Sequence, residues 1–159
     1  MTDGNTDLND LYRRYAPDVF RFALYLSGER SEAEDITSET FVRVWVSTAK
    51  IEEATVRGYL FTIARNLCLQ ALKKRSRMVP LNDELRDPRP SPYARASARS
   101  ETAAVQERMM RLPELDRAAL LMRAMEGMPY EQIARTLDIS VSSAKVKVHR
   151  ARLALADIR

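Results

Sequence analysis

Two stretches of this chain bring together, at helical spacing, side chains suited to nucleic-acid chemistry. From about Thr55 to Arg75, Tyr59, Thr62, Asn66, Gln70 and Lys73 recur every three or four residues and would share one helix face, with Arg57 and Arg65 nearby. An aromatic ring, carboxamides and cations thus lie together, the groups that stack on bases, hydrogen-bond to them and follow phosphates. Towards the end of the chain, Ser142, Lys145, Val146, His149 and Arg150 fall on the face of a last helix that is opposite Val141, Ala144, Val148, Ala151 and Leu155. Lys147 and Arg152 flank that face. Lys and Arg donate to guanine O6 and N7, Ser donates or accepts, and Val meets a thymine methyl, which is the chemistry of a major groove. Flanking cations and the helix N-terminus would hold phosphates. The competing reading is an amphipathic terminal helix with an ordinary basic exterior.

The charge distribution supports two separate binding units. The 159 residues carry 26 basic and 22 acidic side chains, a net charge of +4. Residues 56–79 contain six basic and no acidic side chains, and residues 140–159 five basic and one acidic, whereas residues 1–55 are net acidic. Basic islands attract polyanions by releasing condensed counterions. A single island would read equally well as a solvated helix face; two on two helical units favour a bipartite nucleic-acid binder.

Composition narrows the classes further. One Cys excludes an internal disulfide and a multi-Cys zinc site, and one His argues against His-based metal or triad chemistry. His149 by itself reads as a surface or groove residue. No nucleotide-binding loop, catalytic dyad or metal constellation is present, so the chain reads as a protein without enzymatic activity, cofactor, metal or small-molecule substrate. The opening MTDGNTDLND is polar and acidic, unlike a secretory leader, and no apolar run approaches the roughly 18 residues of a membrane span. The expectation is a soluble cytoplasmic protein. Cys68 reads as a buried structural thiol, with a redox switch as the alternative.

The elements that must position these residues are all helical. Leu8, Leu11, Tyr12, Tyr15, Val19, Phe22, Ala23 and Leu26 follow a 3.6-residue period that Pro17 either kinks or divides and Gly28 ends. Ser31 and Glu34 form a capping box for a second helix with Ala33, Ile36, Thr37, Thr40, Phe41 and Val44 inward. Asp35, Glu39 and Val42 lie on another face of it. The third helix packs through Val56, Leu60, Ile63, Ala64, Leu67 and Ala71. Pro80, Pro88, Pro90 and Pro92 then mark an extended linker over residues 79–100. It separates a unit at 1–78 from one at 101–159. In the latter, Val105, Met109 and Leu112 form a stripe that stops at Pro113. Leu115, Ala118, Leu121, Met122 and Met125 form the next, which stops at Gly127. The fold class is all-α, two small helical domains joined by a Pro-rich linker.

PYEQIARTLDISVSSAKVKVHRARLAL contains the parts of a helix-turn-helix. Pro129 suits the first turn of a short helix, Ala134 is small where two helices approach, Ile139 plugs their angle and Ser140 caps the last helix. Asp138 stands at the turn position where Gly commonly supplies a positive φ, a backbone that Asp tolerates better than most residues.

Four segments in order, LYRRYAPDVFRFAL, AEDITSETFVRVW, VRGYLFTIARNLCLQALKKRSR and LPELDRAALLMRAMEGMPYEQIARTLDISVSSAKVKVHRARLAL, resemble the extracytoplasmic-function class of bacterial sigma factors, small two-domain members of the sigma-70 family. The resemblance covers nearly all of residues 8–156. It implies region 2, a helical bundle, at 1–78 and region 4, a helix-turn-helix, at 101–159. It also implies an RNA polymerase sigma factor that directs recognition of −10 and −35 promoter elements and transcription initiation. Asp35, Glu39, Val42 and Arg43 are then the residues that dock on the clamp helices of the polymerase β′ subunit, the alternative being a solvated face; Phe41 and Trp45 are read as core. Asn66 aligns with the family's base-contacting amide for the −10 element. Tyr59, Phe61, Arg65 and Gln70 surround it, and Lys73, Lys74, Arg75 and Arg77 follow phosphates. For Tyr59 and Phe61, core packing is an equal alternative. The loop from Ser47 to Thr55 would form the lip of the base pocket. Ser142, Ser143, Lys145, Val146, Lys147, His149 and Arg150 become the −35 reader, with the turn from Ser140 to Ser143 on the DNA backbone. Met109, Met110, Met122 and Met125 are core residues or a surface for the polymerase β flap. The implied partners are core RNA polymerase, promoter DNA and an anti-sigma factor that would hold the protein at the inner membrane face.

Two rivals belong to other classes. A stand-alone helix-turn-helix regulator would need neither the acidic helix face nor the Asn66 surface. A sigma-like decoy would bind only an anti-sigma protein.

Overall fold

The computed structural model describes residues 4–47, 56–82 and 101–156, and all its regular structure there is helical. Helix α1 runs Gly4–Ser27, α2 Arg30–Val46 and α3 Val56–Asn82; α4 runs Glu101–Arg111, α5 Glu114–Ala124, α6 Tyr130–Leu137 and α7 Val141–Ala156. The first three form one bundle and the last four a second, in keeping with the two-domain expectation.

Pro17 lies inside α1, which continues through it as a single helix. Gly28, with φ of +80°, ends α1 by donating its N–H to the Leu24 carbonyl at 2.8 Å. The inward stripe of α2 is Ala33, Ile36, Thr37, Thr40, Phe41 and Val44, as the periodicity requires. Thr37 and Thr40 reach the interior without an orphaned hydroxyl because each donates to the carbonyl one turn back, at 2.7 and 2.6 Å. The capping box does not form. The helix starts at Arg30 behind Glu29, Ser31 donates to the Glu29 carboxylate, and Glu34 pairs with Arg30. A local hydrogen bond and a local ion pair thus take the two groups the box would have used.

Trp45 is a second correction. It is 66% exposed, not core. Phe41 fills that part of the interior and packs edge-on against Tyr12 at 5.0 Å. The third helix passes residue 78 and reaches Asn82, so its last turn, which includes Pro80, overlaps the start of the linker expected from residue 79; residues 83–100 lie outside the described residues. In α4, Met109 is buried but Val105 is exposed. Arg117 is buried beside α4 and donates to the Leu112 carbonyl at 2.9 Å, closing that helix end; burial lowers its pKa.

The two bundles pack on each other. Helix α3 lies against α6, and α1 against α4 and α5, so the buried apolar residues of both bundles form one connected cluster. Gly58 permits the α3–α6 approach: a Cβ there would come within 3.1 Å of Thr136 Oγ1 and 3.2 Å of Gln132 Nε2. The sequence pattern left this relative placement open.

Candidate nucleic-acid interface

Helix α3 presents its residues on three sides. Val56, Leu60, Ala64 and Cys68 are buried. Of the stripe read from the sequence, Asn66, Gln70 and Lys73 are exposed, as are Lys74 and Arg77 beyond it, whereas Thr62 is half-buried and donates to the Gly58 carbonyl at 2.7 Å. Tyr59 borders it, half-buried, and its hydroxyl donates to Ser47 Oγ at 3.3 Å. Phe61 does not belong to the stripe. It is 1% exposed and packs against Phe22 with ring centroids 4.8 Å apart, so the core alternative holds for it.

The third side faces the other bundle. Arg65 donates through Nε and Nη2 to both oxygens of Glu114, at 2.7 and 2.8 Å. Arg57 donates to the Glu126 carboxylate at 2.9 Å and to its backbone carbonyl at 2.6 Å. Glu126 has a side chain only 2% exposed, and burial raises its pKa, with the Arg57 hydrogen bond opposing. Arg65 therefore enters this arrangement as a charge already paired. Arg75, expected on phosphates, instead donates to the Ser27 carbonyl and pairs with Glu32 at 3.2 Å, tying α3 to the α1–α2 turn. Sequence patterning missed these roles because the acidic partners lie on other helices or, for Glu126, on the turn after α5.

The helix-turn-helix is formed by α6 and α7. Asp138 adopts φ 56° and ψ 50°, and the Ile139 N–H reaches the Ala134 carbonyl at 2.9 Å. Ser140 Oγ accepts the Ser143 N–H at 3.0 Å and so caps α7. Ala144, Val148 and Ala151 are buried; Ser142, Lys145, Val146, His149, Arg150 and Arg152 are exposed along one side. Ser143 and Lys147 are half-buried at its edge. Arg150 donates to Asp116 Oδ1 at 3.1 Å, and Lys147 Nζ lies 3.9 Å from the same oxygen. Lys145 lies 5.8 Å from the centroid of the Tyr130 ring.

On α2, Asp35, Glu39, Val42 and Arg43 are all exposed, with Arg43 and Glu39 paired at 3.2 Å. Trp45 and Val46 extend this face as large exposed apolar groups, 66% and 74% accessible. The sequence reading passed over Val46 and assigned Trp45 inward, since an apolar residue beside a buried stripe looks like core until the helix is docked. Met109 and Met122 are buried and so serve the interior, while Met110 and Met125 are half-buried. Cys68 is fully buried, and burial pushes its thiol up to about 12. Among the described residues no group of His, Cys, Asp and Glu is placed to hold a metal, and no helix is long and apolar enough to cross a membrane. Of the loop expected to form a pocket lip, only Ser47 falls within the described residues.

Comparison with known proteins agrees with this layout. Residues 11–78 match the Sigma-70 region 2 family and residues 102–155 the Sigma-70, region 4 family. The chain is 34% identical over 156 residues to the ECF RNA polymerase sigma factor SigE of Mycolicibacterium smegmatis, covering 94% of this chain and 60% of that one. It is 31% identical over 152 residues to the ECF RNA polymerase sigma factor SigM of Mycobacterium tuberculosis, covering 93% of this chain and 74% of that one. The fold matches the sigma factor RpoE of Bartonella quintana, solved with the anti-sigma factor NepR, at a TM-score of 0.77 and 24% identity over 95% of each chain. Two region matches in the expected order, together with the identity to these ECF relatives, establish that the chain belongs to the ECF class of the sigma-70 family of non-enzymatic transcription initiation factors.

Proposed function

We propose that this chain brings core RNA polymerase to promoters by dividing the reading between its two bundles. Residues 1–78 form the unit for the −10 element and the polymerase clamp, and residues 101–159 the unit for the −35 element. Helix α7 enters the −35 major groove through Ser142, Lys145, Val146, His149 and Arg150, with Ser143 and Lys147 on the backbone. Extruding a −10 base costs a few kcal/mol of stacking and pairing, and contacts to Asn66, Tyr59 and Gln70 offset it while Lys73 and Lys74 follow the strand. Arg65 joins them once its pair with Glu114 opens. The α2 face of Asp35, Glu39, Val42 and Arg43, extended by Trp45 and Val46, docks on the β′ clamp helices, and region 4 on the β flap. An anti-sigma factor restrains the free protein, which works in the cytoplasm or at the inner membrane face; the Bartonella relative's solved complex supports such a partner.

The observation that carries this reading is the outward exposure of Asn66, Gln70 and Lys73 on one bundle and of Lys145, His149 and Arg150 on the other. A protein that only grips duplex DNA has no need of the first set. Run-off transcription with core polymerase tests it. Promoter-dependent transcripts are expected; their absence on every promoter selected from a random library would favour the stand-alone regulator or the decoy. Asn66→Ala should reduce permanganate-detected melting and spare duplex binding. Lys145→Ala and Arg150→Ala should each weaken −35 binding by roughly 1–3 kcal/mol.

A further inference from the structure

The recognition helix rests on a buried acid that the sequence did not single out. Asp116, in the first turn of α5, is 4% exposed, and both of its side-chain partners come from α7. Arg150 Nη2 donates to Oδ1 at 3.1 Å, and Lys147 Nζ stands 3.9 Å from the same atom. The Lys147 side chain is 17% exposed and Arg150 56%, so the lysine neutralises the carboxylate from inside while the arginine reaches outward past it. The other N–H groups of Arg150 have no partner among the described residues. A long, rotamer-rich side chain is thereby anchored at one edge of its guanidinium, with the rest of the planar fork left for another acceptor.

We propose that Asp116 is a positioning residue for promoter selection: it holds the Arg150 guanidinium in the orientation that reads a −35 base pair. This rests on the reading of α7 as the −35 helix. Anchoring one N–H edge removes alternative rotamers, so fewer wrong base pairs can be met by adjusting the side chain, and less freedom is lost when the correct one is bound. Asp116 itself touches no DNA, because it lies beneath α7. Its effect passes entirely through Arg150.

That route is what the experiment isolates. Holoenzyme assembled with wild-type chain, Asp116→Asn, Asp116→Ala, Arg150→Ala and the double variants is used to select duplexes from a library randomised over the −35 element, and the preferred and single-base-changed duplexes are then titrated. Arg150→Ala should lose preference at one or two adjacent base pairs. Asp116→Ala should weaken discrimination at those same positions about five- to tenfold, and Asp116→Asn, which keeps the shape and one acceptor oxygen, by less. In the Arg150→Ala background, changing Asp116 should have no further effect on selectivity. Equal losses from Asp116→Asn with and without Arg150, or a loss spread evenly over all sequences, would show a merely structural acid and overturn the proposal. If Arg150→Ala changed binding to no duplex, the assignment of Arg150 to the DNA would fail first and take this inference with it. Should Asp116→Ala not fold, the asparagine variant carries the comparison alone.

Discussion

Arg65 and Glu114 meet across the two bundles through two parallel hydrogen bonds, 2.7 and 2.8 Å long, with side chains only 15% and 21% exposed. Arg65 stands one residue before Asn66 on the helix assigned to the −10 element, so the junction between the bundles borders the surface that would read the opened strand. Fork-to-carboxylate geometry is among the stronger polar contacts available to a protein, and partial burial spares it most solvent screening.

Removing one partner should therefore be felt. Glu114→Ala leaves a guanidinium in a partly dry junction, and the expected loss is about 2 kcal/mol of folding stability. Urea denaturation followed by circular dichroism measures it. A variant as stable as wild type would mean that the pair contributes no more than an exposed surface bridge.

Glu126 yields a pH prediction. Burial raises its folded-state pKa, so the folded protein binds this proton more tightly than the unfolded chain. The group's favourable contribution is complete below the unfolded value and is lost as pH rises through the raised folded value. Glu126→Gln, which resembles the protonated form, should be at least as stable as wild type at neutral pH. That gap should close as pH falls through the raised value towards the ordinary carboxylate range. Paired melting curves across that range check the sign; a gap that widens in acid would contradict it.

Two backbone positions respond oppositely to substitution. Asp138 holds φ at 56°, so Asp138→Gly should relieve about 1 kcal/mol of left-handed strain, tempered by the greater freedom of an unfolded glycine. Gly28 holds φ at +80° and a Cβ there would sit 2.8 Å from Met110 Sδ, so Gly28→Ala should cost at least about 1–2 kcal/mol. Thermal denaturation of the two variants should move in opposite directions.

Gly58 tests the junction by volume. A methyl would press on Thr136 Oγ1 and Gln132 Nε2; the glutamine end can swing aside and the threonine need give only slightly, and alanine also favours a helix, so Gly58→Ala should be close to neutral. Gly58→Leu cannot be accommodated by side-chain adjustment and should force α3 and α6 apart, costing about 1–3 kcal/mol. Small-angle scattering should show an expanded particle for leucine and not for alanine.

Cys68 should resist chemistry in the native state. With its thiol pushed up to about 12 and the side chain buried, almost no thiolate exists at neutral pH. Alkylation at pH 8 is expected to be slow in native protein and rapid in denaturant. Fast native labelling would reopen the redox alternative.

Local chemistry along the chain determined a good deal: the helical periods, the α2 core stripe from Ala33 to Val44, the Ser140 cap, the left-handed turn at Asp138, and the outward rows that include Asn66 and Lys145. Each depends on spacing within one helix or turn, which a linear pattern records directly. Tertiary packing decided the rest. Phe61 went inward because Phe22 of α1 was there to meet it, and Trp45 stayed outside although it stands one turn after buried Phe41. Arg65, Arg75 and Arg150 acquired acidic partners on other elements, at Glu114, Glu32 and Asp116. A charged side chain reads the same in sequence whether it faces phosphate or carboxylate. Only the docking of one helix on another, which brings together residues dozens of positions apart, determines what lies within hydrogen-bond reach.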